Sequence, residues 1–162
     1  MKKRLYGFSI AAGVLAALSI SVVAAAAESV PFKGRSGGLI TNLGFDPVEN
    51  IVYLHQSGTG HATHLGSFTL DGNTEILLAT GTTRVSLELK AANGDKLFLR
   101  SVDGGGTGPT TAAGTFRIVG GTGRFDGAAG ILQIAVTFAI APPTSEPNPY
   151  TNTIEGTISF KQ

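Results

Sequence analysis

Residues 115–130, TFRIVGGTGRFDGAAG, decide the fold, because a strand, a glycine-built corner and the start of the chain's longest apolar strand follow one another without a break. Phe116 and Ile118 alternate with Thr115, Arg117 and Val119, the period of two expected of a strand with one buried face. The corner then places Gly120, Gly121 and Gly123 within four positions. Glycine takes positive φ without a Cβ clash, so the spacing predicts a tight turn built on these three residues. The same run fits no ligand loop. It lacks the Lys-Ser/Thr pair of a phosphate cradle, and Asp126 stands where a dinucleotide fingerprint needs glycine. Phe125 occupies the aspartate place of a calcium-binding glycine repeat.

Outward from the corner, alternation continues. Over 128–140, Leu132, Ile134, Val136, Phe138 and Ile140 share the face expected in the core, with Ile131, Gln133, Ala135, Thr137 and Ala139 opposite. Over 151–161, Ile154, Ile158 and Phe160 form the matching set. Six further strands are expected at 30–36, 48–57, 61–71, 82–91, 95–103 and 112–119, and Asn93-Gly94 is the clearest hairpin signal. Threonine-glycine pairs interrupt every window long enough for an amphipathic helix. Residues 103–111, DGGGTGPTT, and 141–149, APPTSEPNP, read as loops. The class is all-β, a closed barrel or a sandwich, and closure into a barrel removes both exposed edges.

The blocks GGTGRF at 120–125, ATHLGSFT at 62–69, NGDKLF at 93–98 and IEGTISF at 154–160 resemble the allene oxide cyclase barrel-like family of small exported bacterial proteins, and the glycine corner is similar to that of plant dirigent proteins. The resemblance implies a single eight-stranded antiparallel β-barrel over 28–162. Related plant barrels associate as trimers, which implies a homo-oligomer here, and the apolar second face of 128–140 (Ile131, Ala135, Ala139) calls for a cover: a partner subunit, or the loop at 141–149. The polar cavity residues of the plant enzymes have no counterparts that can be placed on this sequence.

At the N-terminus, Lys2, Lys3 and Arg4 precede an apolar run from Phe8 to Val23 that ends in four alanines, the pattern of a secretory signal peptide over 1–27. The expected product is exported, to the periplasm or beyond, with no membrane span after cleavage. Its nine basic residues against 11 acidic ones give a formal charge of −2, without the basic footprint that nucleic acid requires. With no cysteine in the chain, disulfides, lipidated cysteine and thiol nucleophiles are all excluded.

No catalytic set, metal site or cofactor motif emerges. His61 and His64 stand three apart, on opposite faces of one strand, and HExxH and GxSxG are both absent. The acidic residues Asp71, Glu75, Glu88, Asp95, Asp126 and Glu155 are available for paired-carboxylate chemistry, but nothing in the sequence fixes two of them at a catalytic separation. His64, on the expected face of Ala62, Phe68 and Leu70, reads first as a buried, hydrogen-bonded structural imidazole. Arg124 is expected at the barrel rim or paired with a carboxylate. These two are the candidates for touching a ligand. The function expected is a non-catalytic exported barrel that binds a small apolar ligand or acts as an interaction module; the alternative is a cyclase-like or dirigent-like enzyme working on a reactive intermediate in the cavity.

Overall fold

The computed structural model describes residues 28–142 and 144–161; the expected signal peptide, 1–27, lies outside them. Among the described residues nine strands form: β1 (Ser29–Asp46), β2 (Ile51–Ala62), β3 (Gly66–Leu77), β4 (Thr82–Ala91), β5 (Lys96–Ser101), β6 (Gly105–Gly108), β7 (Thr111–Gly121), β8 (Ala129–Phe138) and β9 (Asn148–Ser159), with one 3₁₀ turn at Gly123–Phe125. Every pairing is antiparallel. The order β5-β4-β3-β2-β1-β9-β8-β7 closes through a β5–β7 ladder, while β6 adds only to β7, so the sheet is an eight-stranded barrel with one short accessory strand. Closure leaves none of the eight staves as a free edge.

The strands β4, β5, β7, β8 and β9 lie close to their expected positions, and Asn93-Gly94 turns the β4–β5 hairpin with Gly94 at φ +92°. The first third is longer than its sequence suggests. Residues 37–46 continue β1 and residues 58–62 continue β2, although their glycines read as punctuation and 61–62 as the start of the strand expected at 61–71, which instead begins at Gly66 and runs to Leu77. These glycines make room for aromatic rings. A Cβ on Gly60 would lie 2.5 Å from Phe68 Cζ, and one on Gly58 would lie 2.9 Å from the Tyr150 hydroxyl. The expected loop at 103–111 likewise contains β6, and just before it Gly104 lies against β7: a Cβ there would stand 3.1 Å from the Ala113 carbonyl oxygen.

Alternation along each strand sends one set of side chains inward. The larger cluster comprises Phe32, Leu65, Phe68, Leu89, Leu97, Phe125, Leu132, Ile154 and Ile158 with their neighbours. A smaller one joins Ile40, Val52, Leu54 and Tyr150, with Ile76, Val136 and Phe138 half-buried against it. Each fully buried side chain contributes roughly 1.5–3 kcal/mol of transfer free energy. The outer face carries charged and polar groups such as Lys90, Arg117, Gln133 and Glu155, all exposed.

Candidate functional site

The two ends of the barrel differ in construction. One end holds the turns at 63–65, 92–95 and 122–128 together with the start of β1 and the end of β9. Here the TGRF corner folds into the 3₁₀ turn and drives Phe125, 0 % exposed, into the barrel as a plug beside Leu65. The corner is latched to the neighbouring hairpin: Lys96 N donates to Thr122 Oγ1 at 3.0 Å, and Arg124 Nε approaches Asp95 Oδ2 at 3.7 Å. Gly120 and Gly123 adopt positive φ, at +123° and +59°, as expected. Gly121 does not. It is confined by close approach, since a Cβ there would overlap the Lys96 carbonyl oxygen and stand 2.5 Å from Phe125 Cβ.

Both side chains singled out in the sequence sit at this plugged end. His64 occupies the β2–β3 turn at φ +63°, exposed, with Nε2 3.1 Å from the Pro31 carbonyl and its ring edge-on to Phe160 at 5.7 Å. The expected buried imidazole is therefore corrected: β2 runs on to Ala62, which puts His64 in the turn and not on a strand face with Phe68 and Leu70. Arg124 lies over the Phe125 ring at 5.0 Å and donates from Nη2 to the Leu65 carbonyl at 3.1 Å. It thus meets both descriptions, a rim residue and a partner of a carboxylate. His55 and His61 are on the outer face of β2, and His55 Nε2 is 3.0 Å from Asp71 Oδ2. Among the described residues no three His, Cys, Asp or Glu side chains cluster as a metal site would need.

The opposite end contains a cavity of about 270 Å³ inside the barrel. Ile40, Leu54, Ile76, Val85, Phe116, Ile134, Val136 and Phe138 supply apolar wall, and the mouth is framed by 103–106, Pro109 and Pro142. Polar side chains are few: Gln56, Thr74, Thr83, Thr111 and Asn152, with Asp103 at the mouth, the one ionisable side chain among the lining residues. Gln56 Nε2 donates to Thr74 Oγ1 at 2.7 Å, and Asn152 Nδ2 donates to Ser36 Oγ at 3.1 Å. Asn152 is 4 % exposed, and its Oδ1 has no partner; nor does the hydroxyl of Tyr150, two residues away on the same inner face of β9. Burial pushes the Tyr150 phenol up to about 12.

Access is built into the strand register. The β4–β5 ladder stops at Ser86 opposite Arg100, and beyond it the backbone N–H of Val85 bonds to the Ser101 hydroxyl instead of to backbone. The splayed strands leave a hollow of about 790 Å³ between 80–86 and 100–104 that shares Gly81, Thr83, Val85, Asp103 and Gly104 with the cavity. This hollow is larger than the cavity, but polar and apolar groups share its lining about equally, so the mainly apolar space inside the barrel is the better ligand site. The rim around the mouth exposes Leu43, Phe45, Val48, Leu78, Val102 and Ile140. Asn148, fully buried, holds the β8–β9 connection in place by bonding both the N–H and the C=O of Ile140, at 3.0 and 2.6 Å.

Sequence reading missed the cavity's polar residues, although a signal existed. Extending the inward set Ile158, Ile154 two steps back along β9 lands on Asn152 and Tyr150, polar groups on a core face.

The closed eight-stranded antiparallel barrel is the fold of dirigent proteins. Two solved structures are similar to it: the pterocarpan synthase dirigent protein GePTS1, with TM-score 0.54 and 12% identity over 83% of this chain and 87% of that one, and PsPTS1, of the same description, with TM-score 0.54 and 14% identity over 83% and 97%. No family model matches the sequence, and no curated protein matches it.

Proposed function

We propose that this chain is an exported barrel that takes up a small, largely apolar molecule at its open end and does no chemistry on it. The observation that carries the reading is the mainly apolar 270 Å³ cavity at the open end, whose lining offers hydrogen bonds from Gln56, Thr74 and Asn152 and a carboxylate only at its mouth. Acid–base catalysis requires a titratable group within hydrogen-bond reach of the reacting atoms, and the lining offers none deep in the cavity. A cavity of ~150 Å³ accommodates benzene, so this one suits about ten to twelve non-hydrogen atoms. Titration of labelled protein with naphthalene and 2-naphthol, followed by NMR, should give saturable shifts at Phe116, Ile134 and Val136. The absence of shifts with both probes would end the reading. Export is tested separately, by mass spectrometry of secreted material: a mature protein that retains 1–27 refutes it.

A second reading is favoured by the fold shared with dirigent proteins: the cavity shapes a reactive intermediate while it reacts, as a dirigent or cyclase-like protein would. A product ratio altered by the parent protein and restored by Val136→Phe would support it. We also propose self-association through the outer face of β8, where Ile131 remains 43 % exposed and the 141–149 connection lies at the other end of the barrel. Light scattering should register a multimer that Ala135→Arg dissociates, since a buried unpaired charge is costly; a monomer at every concentration would refute it.

A further inference from the structure

We infer that Asn152 is the specificity-determining residue of the cavity and that the ligand is an uncharged molecule with one hydroxyl, or a comparable hydrogen-bonding group, on an otherwise apolar skeleton. This rests on the reading of the cavity as a ligand site. The inside of the barrel holds two hydrogen-bonded polar pairs, and they are not equivalent. In the first, Gln56 and Thr74 bond to each other. In the second, one end of the Asn152 amide bonds to Ser36 and the other end is left with nothing, in a residue only 4 % exposed. Buried polar groups nearly always have a partner, so one left open on a cavity wall marks where a ligand, or a water the ligand displaces, completes the set.

Charge and chemistry narrow the class. The free end of the amide is Oδ1 when Nδ2 faces Ser36, and it would be the NH₂ if the Ser36 hydroxyl donated instead. A ligand hydroxyl satisfies either arrangement, because it both donates and accepts. A carboxylate does not fit. Its desolvation would go uncompensated, since the cavity holds no cationic side chain and the Asp103 carboxylate stands at the mouth.

The test compares one skeleton in three forms, naphthalene, 2-naphthol and 2-naphthoate, by calorimetry or NMR titration at neutral pH. The parent protein should bind 2-naphthol about tenfold tighter than naphthalene, the effect of one added hydrogen bond, and 2-naphthoate weakest. Asn152→Leu should erase the advantage of the hydroxyl while keeping naphthalene binding, and Tyr150→Phe, which removes the neighbouring unpartnered group, should preserve it. Should Asn152→Leu fail to fold, the side-chain amide signal of Asn152 in the parent protein gives the same answer: it shifts with 2-naphthol and stays with naphthalene. Equal affinity for naphthalene and 2-naphthol, preference for the carboxylate, or an advantage lost in Tyr150→Phe overturns the assignment while leaving the cavity a ligand site. Failure of all three probes to bind overturns the cavity reading and this inference together.

Discussion

At one end of the barrel, Phe125, Leu65, Leu97 and Ile158 fill the interior to the point where none is more than 2 % exposed, while at the other Val136, Phe138 and Ile76 stand half-buried around empty space. The residue types are the same, so hydrophobicity does not distinguish the ends. Topology does. The plugged end receives the 3₁₀ turn, which inserts Phe125, and both chain ends of the barrel, where Phe160 stacks near Phe125 at 6.2 Å. The open end receives the longer connections, rich in glycine and proline, which frame the mouth without entering the barrel. Stability is therefore concentrated at one end, and the other is left underpacked, an arrangement suited to taking up a molecule.

The sharpest way to break this comparison is truncation at both ends. Phe125→Ala should cost about 3–5 kcal/mol, because a fully buried ring leaves a cavity that its tightly packed neighbours cannot close. Phe138→Ala, half-buried beside existing empty space, should cost roughly 1 kcal/mol or less. Urea unfolding of the two variants gives the numbers. Equal losses would mean that the open end is as firmly packed as the plug.

Tyr150 sharpens the comparison through pH. Its neutral phenol is buried, and burial raises its folded value to about 12 from the ordinary 10. Above pH 10 the unfolded chain releases this proton while the folded barrel retains it, so stability falls as pH rises from 10 toward 12 and is unaffected below. The loss should reach on the order of 2–3 kcal/mol at the top of that window. Tyr150→Phe should remove this component from the difference between stability at pH 9 and pH 11.5. An unchanged difference would mean that the phenol reaches solvent through the open end.

The plugged end was also the legible end. Its signals are local: GGTGRF announces a corner, Asn93-Gly94 a hairpin, and the alternation of Leu132 and Ile134 a core face, all resting on the conformational freedom of glycine and the period of a strand. The open end was obscure for equally physical reasons. Gly38, Gly58 and Gly60 interrupt β1 and β2 in sequence, yet they are strand residues whose missing side chains leave room for the backbone of the paired strand and for the Phe68 and Tyr150 side chains, a relation no local window contains. The inward polar groups Ser36, Gln56, Thr74 and Asn152 come from β1, β2, β3 and β9, and only the sheet order, which sets β9 beside β1, brings them to one interior face. His64 was misread because the end of β2 is set by pairing with β1 as far as Ala62 opposite Gly34, not by its own residues.

The corner offers an intermediate effect. Gly123→Val places a β-branched side chain at φ +59° and against the Asp95 carboxylate, so backbone strain and the lost latch should cost about 1–3 kcal/mol. Gly121→Val should cost a similar amount through close approach alone. Thermal unfolding measures both. Parent-like stability in the two variants would show that the latch between the corner and the β4–β5 hairpin does not hold the plug.

The smallest effects are expected at His64 and Arg124, and they separate the two ends most cleanly. The Arg124 ion pair with Asp95 is long, at 3.7 Å, and the arginine side chain is 47 % exposed, so water and salt screen most of its attraction. Its packing on Phe125 and its bond to the Leu65 carbonyl are lost with it. Together these put Arg124→Ala at roughly 1 kcal/mol of stability or less. His64→Ala removes one exposed hydrogen bond and an edge-on contact with Phe160, a still smaller loss. Neither side chain lines the 270 Å³ cavity, and the packed core from Phe125 to Ile154 stands between them and it. The affinity for 2-naphthol should therefore remain within a factor of about two in both variants, while Val136→Phe, which fills the cavity, abolishes binding with little change in unfolding. A large loss of affinity in His64→Ala or Arg124→Ala would place the ligand at the plugged end and reverse the division of roles between the two halves of the barrel.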